Sequence, residues 1–173
     1  FVYDEAGHLL GQYDGAGALV EEVVWLGDIP VATLRPSGPS SISVYYIHTD
    51  HLNTPRRVTR PSDNQIVWRW DSDPYGEAAA NEDPDEDSQT FILNLRFPGQ
   101  FRDAETGLNY NYLRDFDPAT GRYSESDPIG LLGGLNTYLY VGADPLSNID
   151  PYGLDWIEYE GQTVVYYAGN FGD

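Results

Sequence analysis

Two aspartates stand in matching phrases, Asp127-Pro128-Ile129-Gly130-Leu131 and Asp150-Pro151-Tyr152-Gly153-Leu154, 23 residues apart. Proline fixes φ and glycine tolerates positive φ, so each phrase predicts a tight turn that holds its aspartate in one direction. Two carboxylates forced together cannot both ionise. One pKa rises, and the pair then offers a base to activate water and an acid to protonate an amide nitrogen. Arg114, in Arg114-Asp115-Phe116-Asp117-Pro118, supplies a guanidinium that could polarise a carbonyl or steady an oxyanion. The expectation is that the turns gather Asp127, Asp150 and Arg114 in one closed pocket that severs the chain at Leu154–Asp155. That bond lies only a few residues past Asp150, so catalyst and substrate are joined and effective molarity is high. The competing reading is that both aspartates only cap turns and Arg114 forms an ordinary salt bridge. A third copy of the phrase, Asp73-Pro74-Tyr75-Gly76, shows that it is a turn device first.

The elements that must position these residues are short strands. The chain has 173 residues, enough for about one domain with a core. It is 40% hydrophobic and 14% aromatic, and 18 Gly and 12 Pro punctuate it at short intervals, which favours strands and turns over long helices. No apolar run is long enough to span a membrane as a helix, and no signal peptide is read. Beginning at Phe1 and containing no Met, the chain reads as a piece of something longer. The absence of Cys excludes disulfides and thiolate metal sites, as in a protein that folds in a reducing cytosol. A formal net charge of −19 should repel phosphate backbones, so nucleic-acid binding is not expected. Such charge suits a solvated surface or an acidic wall facing a basic passenger.

The first residues repeat. Tyr3-Asp4-Glu5-Ala6-Gly7-His8-Leu9 is followed by Tyr13-Asp14-Gly15-Ala16-Gly17-Ala18-Leu19, each read as strand, Asp/Gly turn, strand, with Tyr and Leu on the buried faces. A strand pair turning at Gly27-Asp28 follows, then an exposed Ser/Pro/Gly loop over Pro36–Ser41. His48, Asp50 and His51 could be metal ligands, which would admit a metal-dependent nuclease. Residues 48 and 51 point to opposite faces of a strand, however, and a hydrogen-bonded turn is the better reading. Gln65–Trp70 is a strand by content. Ala78–Gln89 is an acidic exposed loop, with a weak calcium site as a minor alternative. Phe91–Phe101 should resume the sheet, and the apolar spacing of 131, 135, 138 and 139 allows a short helix over 131–140. After Leu154, Trp156–Tyr159 and Thr163–Tyr167 suggest a hairpin around Gly161.

Taken together these phrases resemble the C-terminal core of the RHS-repeat (YD-repeat) family, relatives of toxin-complex C components and of RHS effectors of interbacterial competition. The resemblance rests on the two Tyr-Asp-x-x-Gly units and on Trp25-Leu26-Gly27-Asp28-x-Pro30. It also rests on His48-x-Asp50-His51-Leu52, Asp103-x-Glu105-Thr106-Gly107-Leu108, Gly121-Arg122-Tyr123 and the two Asp-Pro-x-Gly phrases at 127 and 150. It covers roughly residues 1–154, with Asn53 standing where the family more often has Gly. The resemblance implies a mainly β protein whose YD-repeat strands spiral into a shell and end in an inward-curling autoprotease plug with at most short helices. The corresponding parts are YD-repeat strands over 1–35, core strands over 36–113 with the acidic loop at 78–90, the plug over 114–154, and the start of a variable passenger at 155–173. It implies aspartyl-type self-cleavage after Leu154 by Asp127, Asp150 and Arg114, with no cofactor and no metal. The implied partners are the chain's own toxic passenger held in the shell, the N-terminal remainder of the protein, secretion machinery and an immunity protein. The route implied is synthesis in a bacterial cytoplasm followed by secretion or delivery into a target cell. The alternative is a non-cleaving structural or adhesive YD-repeat module.

Overall fold

The computed structural model describes residues 1–154 and the backbone of two further strands, Ile157–Glu160 and Thr163–Tyr166. The described chain is mainly β, all ladders are antiparallel, and its only helical pieces are two short 3-10 turns, Gly130–Gly133 and Val141–Ala143. It divides into two compact units, residues 1–71 with 80–93, and residues 72–79 with 94–173.

The first unit is a seven-stranded meander of β1 (Val2–Tyr3), β2 (Leu9–Tyr13), β3 (Leu19–Leu26), β4 (Ile29–Gly38), β5 (Ser41–Thr49), β6 (Pro55–Arg60) and β7 (Gln65–Arg69), each paired with the next. One turn device recurs between them. Asp4 Oδ1 accepts the N–H groups of Ala6 and His8 at 2.9 and 2.8 Å, and Asp14 Oδ1 accepts those of Ala16 and Ala18 at 2.8 Å. In both, the glycine three residues on has a left-handed φ near 80°. Asp50 repeats the pattern with Leu52 and Thr54, and Asn53, φ 66°, takes the glycine's place. Asparagine tolerates that conformation better than other side chains do, so the departure at 53 costs the turn little.

Two expectations for this unit are corrected. Leu9 is buried, but Tyr3 and Tyr13 are exposed, and Tyr13 donates to Glu22 at the surface instead of filling the core. The Pro36–Ser41 stretch is mostly ladder, with Pro36 opposite Ile42 and Gly38 opposite Ser41, leaving only two residues of loop. Pro36 is tolerated because it lies past Leu34, the last β4 residue paired to β3, so its missing N–H breaks no bond there.

The first core is built on Val58, Trp68 and Trp70, all fully buried. Truncating a tryptophan so placed costs about 3–5 kcal/mol. Asp50 is spent on its turn and on Arg56 Nε at 2.9 Å, while His48 Nε2 lies 2.9 Å from Thr59 Oγ1. Among the described residues, the one trio of acidic or imidazole groups whose ligand atoms converge is Asp83, Asp85 and Asp87, not His48, Asp50 and His51. Two of that trio, Asp85 and Asp87, pair with Arg60, which also holds Asp63. The acidic loop is thus tied down by a cation of the chain itself.

The second unit carries β8 (Phe101–Arg102), β9 (Asn109–Asn111), β10 (Arg114–Asp117) and β11 (Arg122–Tyr123) in the order β11-β10-β9-β8. Beside it is a three-stranded sheet of β12 (Asn148–Ile149), β13 (Ile157–Glu160) and β14 (Thr163–Tyr166). Its core is aromatic: the Phe116 ring lies 4.5 Å from Tyr140, 5.9 Å from Tyr123 and 6.5 Å from Phe97. Phe91, Leu93, Leu95 and Phe97 are buried at alternate positions, although Arg96 between the last two is buried as well, and in this stretch only Leu95 bridges to a neighbour, Phe101, so the expected sheet does not resume there. The expected helix over 131–140 is also absent. Gly133 and Gly134 interrupt it after one 3-10 turn, and Leu131, Leu132 and Leu135 project to solvent at 71%, 68% and 95% exposure. Spacing placed Leu131 and Leu135 on one face with Tyr138 and Leu139, but both leucines are exposed, so no packing rewards helix formation there. Beyond Leu154, β13 and β14 form the hairpin that the sequence suggested, with Tyr159 opposite Val164, while Trp156 and Tyr167 lie outside the described residues.

Candidate active site

Strand periodicity and turn chemistry build the site. On β10, alternate residues share a face, so Arg114 points the same way as the fully buried Phe116 and is itself only 4% exposed. On β11, Tyr123 packs against that Phe116. The turn after β11 presents Asp127, whose Oδ1 accepts the Ile129 N–H at 2.9 Å, and Gly130 follows with φ 64°. The turn after β12 presents Asp150, whose Oδ1 accepts the Leu154 N–H at 3.1 Å. Gly153 makes this second turn fit. Its φ is 64°, and a Cβ there would stand 2.3 Å from the Asn111 carbonyl oxygen. Only glycine satisfies both demands.

Arg114 is the hub. Its Nη1 lies 3.2 Å from Asp127 Oδ2 and its Nη2 lies 3.1 Å from Asp150 Oδ2. The same guanidinium donates to three main-chain carbonyls, Gly153 through Nε at 2.6 Å, Thr137 through Nη1 at 3.4 Å and Leu154 through Nη2 at 3.3 Å. Its flat face covers the Tyr123 ring at 3.6 Å. A guanidinium can do all this because its donors form a fixed planar fork. Beside it is a pocket of about 170 Å³ lined by Arg114, Asp127, Gly133, Leu135, Asp150 and Leu154 among others. That is room for several waters next to both carboxylates.

Asp150 is the more deeply set acid, at 2% exposure against 7% for Asp127. Burial pushes its pKa up, opposed by the Tyr123 hydroxyl, the Arg114 charge and the N–H groups of Leu154 and Tyr152. The same burial raises the hydroxyls of Tyr123 and Tyr140 well above the usual tyrosine range, and the Asp150 charge adds to it. Asp73 is the natural control. Burial opposes its ionisation too, but the N–H groups of Ala78 and Tyr75 overcome this and hold its pKa below the usual carboxylate value. The three copies of one turn phrase therefore differ in surroundings. Only the copies at 127 and 150 close on Arg114.

Arg114, Asp127, Asp150 and Leu154 thus meet around one pocket, whereas Asp155 lies outside the described residues. Sequence reasoning passed over two neighbours. Tyr123 Oη donates to Asp150 Oδ2 at 2.7 Å, and Asn111 Nδ2 donates both to Tyr123 Oη at 2.7 Å and to the Asp150 carbonyl at 2.9 Å. The signal for Tyr123 was its place four residues before Asp127, and for Asn111 its alternation with Asn109 on β9, where asparagine is an unusual strand residue.

A family profile described as the teneurin YD-shell matches residues 39–132. The double-stranded DNA deaminase toxin A of Burkholderia cenocepacia (strain H111) is 33% identical over 157 residues, 82% of this chain and 11% of the toxin. The chain belongs to the RHS-repeat (YD-shell) family. The toxin protein Tse5 of Pseudomonas aeruginosa is 39% identical over 126 residues, 73% of this RHS chain and 9% of Tse5. Among solved structures, that of TcdB2-TccC3 without its hypervariable C-terminal region superposes with a TM-score of 0.60 at 28% identity, covering 79% of the RHS chain and 7% of that one. The RHS segment spans about a tenth of the length of the two toxins. No helix among its described residues is long and apolar enough to cross a membrane.

Proposed function

We propose that this RHS segment is the self-cleaving core of a toxin, which cuts its own chain between Leu154 and Asp155 and so frees a C-terminal passenger enclosed by the YD shell. The observation that carries the reading is that one guanidinium touches both turn carboxylates and the Leu154 carbonyl oxygen beside a pocket large enough for water. In the reaction, Asp127 takes a proton from a water in the pocket and the water oxygen attacks the Leu154 carbonyl carbon. Arg114 Nη2, already on that carbonyl oxygen, carries the negative charge that develops there. Asp150, whose burial favours the protonated form, gives its proton to the departing nitrogen of Asp155 as the C–N bond breaks. The products are a Leu154 carboxylate and an Asp155 amine. One turnover suffices because the substrate is the enzyme's own chain.

The relatives add to this reading by their names, two of them toxins and one a complex described by a hypervariable C-terminal region. On this basis the passenger, the N-terminal remainder of the shell, a secretion apparatus and an immunity protein are the partners, and the route is synthesis in a bacterial cell followed by delivery. A second reading, a structural module that never cuts, is favoured by one feature: the Asp150 carboxylate accepts from Arg114, Tyr123 and the Leu154 N–H, as in a purely structural turn anchor. Purifying the chain with its natural flanks and identifying the fragment termini separates the two. The proteolytic reading requires a new C-terminus at Leu154 and a new N-terminus at Asp155; an unbroken chain supports the module.

A further inference from the structure

We infer that Tyr123 is a positioning residue for the self-cleavage proposed above: its hydroxyl, oriented by Asn111, holds Asp150 Oδ2 and so keeps that acid's proton on Oδ1, the oxygen turned toward the scissile segment. The inference rests on the proteolytic reading of the same pocket and adds a residue that the reading does not need.

The geometry fixes the direction of each hydrogen bond. The Asp150 main-chain carbonyl can only accept, so the atom of Asn111 at 2.9 Å from it must be the amide nitrogen. The second hydrogen of that nitrogen points at Tyr123 Oη, 2.7 Å away. Tyr123 therefore receives one hydrogen bond, and its own O–H is free to be given to Asp150 Oδ2 at 2.7 Å. The circuit closes on Asp150, joining its main-chain carbonyl to its own carboxylate. Arg114 Nη2 approaches the same oxygen at 3.1 Å. Oδ2 thus holds the charged donor and the shorter hydrogen bond, while Oδ1 accepts the neutral Leu154 N–H at 3.1 Å, so negative charge is favoured on Oδ2 and a proton carried by Asp150 on Oδ1. Arg114 Cζ also stands over the Tyr123 ring at 3.6 Å from its centre, so the tyrosine supports the guanidinium that contacts the Leu154 carbonyl.

The charged and titratable groups around this carboxyl come from every element packed on it: Arg114 on β10, Tyr123 on β11, Asp127 beyond the Arg114 fork, and Tyr140 ahead of the second 3-10 turn. Tyr123 stabilises the ionised form of Asp150, because it donates to it. Removing the hydroxyl raises the pKa of Asp150 further. Since Asp150 works as the acid, activity is lost as pH rises through that pKa, and the alkaline limb of the rate profile must move to higher pH.

The test uses the chain with its natural flanks, pulse-labelled in cell-free synthesis and chased into buffers across the acid-to-alkaline range. Fragment appearance is compared for wild type, Tyr123→Phe and a chain carrying 3-fluorotyrosine at 123 alone. Phenylalanine keeps the ring under Arg114, and a melting curve checks that the variant folds. We expect Tyr123→Phe to cut about 10- to 100-fold more slowly, the loss of one hydrogen bond to a charged group, with its alkaline limb shifted up. The more acidic fluorinated hydroxyl is a stronger donor and shifts the limb down, which keeps the test decisive if the phenylalanine variant folds poorly. Slower cutting with unmoved limbs in both variants makes Tyr123 merely structural and overturns the inference, as does wild-type behaviour. No cutting in wild type sinks the proteolytic reading itself, a different result from either.

Discussion

The most quantitative consequence of the site concerns Arg114 against Asp150, isolated by working in an Asp127→Asn background, where no cutting is expected and one carboxylate is left. Replacing Arg114 by Met in that background removes the cation paired with Asp150 and leaves the ring of Tyr123 covered by a chain of similar length. Both members of the pair are 2% exposed at the side chain, so solvent cannot screen their interaction or repair its loss as it would at a surface. Breaking such a pair by removing one partner costs about 3–5 kcal/mol, because a buried charge is left without compensation. Three carbonyls also lose a donor, but water in the adjacent pocket can replace part of that. Hydrogen exchange by mass spectrometry on peptides spanning β9 to β11 reads the second unit directly. The loss corresponds to exchange roughly 150- to 5,000-fold faster, after correction for intrinsic rates. The sign of its pH dependence follows from Asp150. Burial already raises its folded pKa above the ordinary value of 3.8, and without Arg114 a positive charge that lowers it has gone. The unfolded chain then gives up the proton more readily than the folded one. The destabilisation is therefore full above the folded pKa and is relieved as pH falls through it. A difference between the two variants that is small, or equally large in acidic and alkaline buffer, would refute the picture of a buried carboxylate held by a guanidinium.

Two further outcomes follow from single positions. A Cβ at Gly133 would lie 2.6 Å from Asp127 Oδ2 and 3.3 Å from Ile129 Cδ1, so Gly133→Ala should push Asp127 off Arg114, block fragment formation and lower the melting temperature of the uncut chain, since a buried ion pair is opened; full cutting would contradict the placement of Asp127. In the first unit, the left-handed Asn53 predicts that Asn53→Ala costs about 1 kcal/mol while Asn53→Gly is close to neutral, measured by urea unfolding through the buried Trp68 and Trp70; equal values for the two would remove the turn argument.

Much of this was legible in the chain, and the limits have physical causes. The Asp-x-x-Gly turns could be read because their chemistry is local: a carboxylate capping N–H groups two and four residues ahead needs no distant partner. Strands β3, β4 and β7 could be read because β-branched and aromatic residues are dense there, and β2 because it sits between two copies of the turn. Residues 91–97 misled because alternation reports burial on one face and says nothing of whether an edge has a ladder partner. The spacing of 131, 135, 138 and 139 misled in the opposite sense, since helical spacing has value only if a surface receives it. Within the site, the repeated phrase identified Asp127 and Asp150 as turn residues, but the copy at Asp73 shows that the phrase cannot tell a buried pair from a surface turn. What distinguishes them is Arg114, whose side chain reaches from β10 to residues 36 to 40 positions away in the turn after β12. Tyr123 and Asn111 escaped because polar groups on a strand are recognised as working parts only once their partners are seen.

The three copies of Asp-Pro-x-Gly allow the most direct measurement. Intact-mass analysis of the flanked chain and of three variants compares Asp73→Asn, Asp127→Asn and Asp150→Asn, identical changes in identical local turns. The account predicts two fragments meeting at Leu154 and Asp155 in wild type and in Asp73→Asn, and a single uncut chain in each of the other two. Fragments that persist in Asp127→Asn or Asp150→Asn, or that vanish equally in all three, would contradict it.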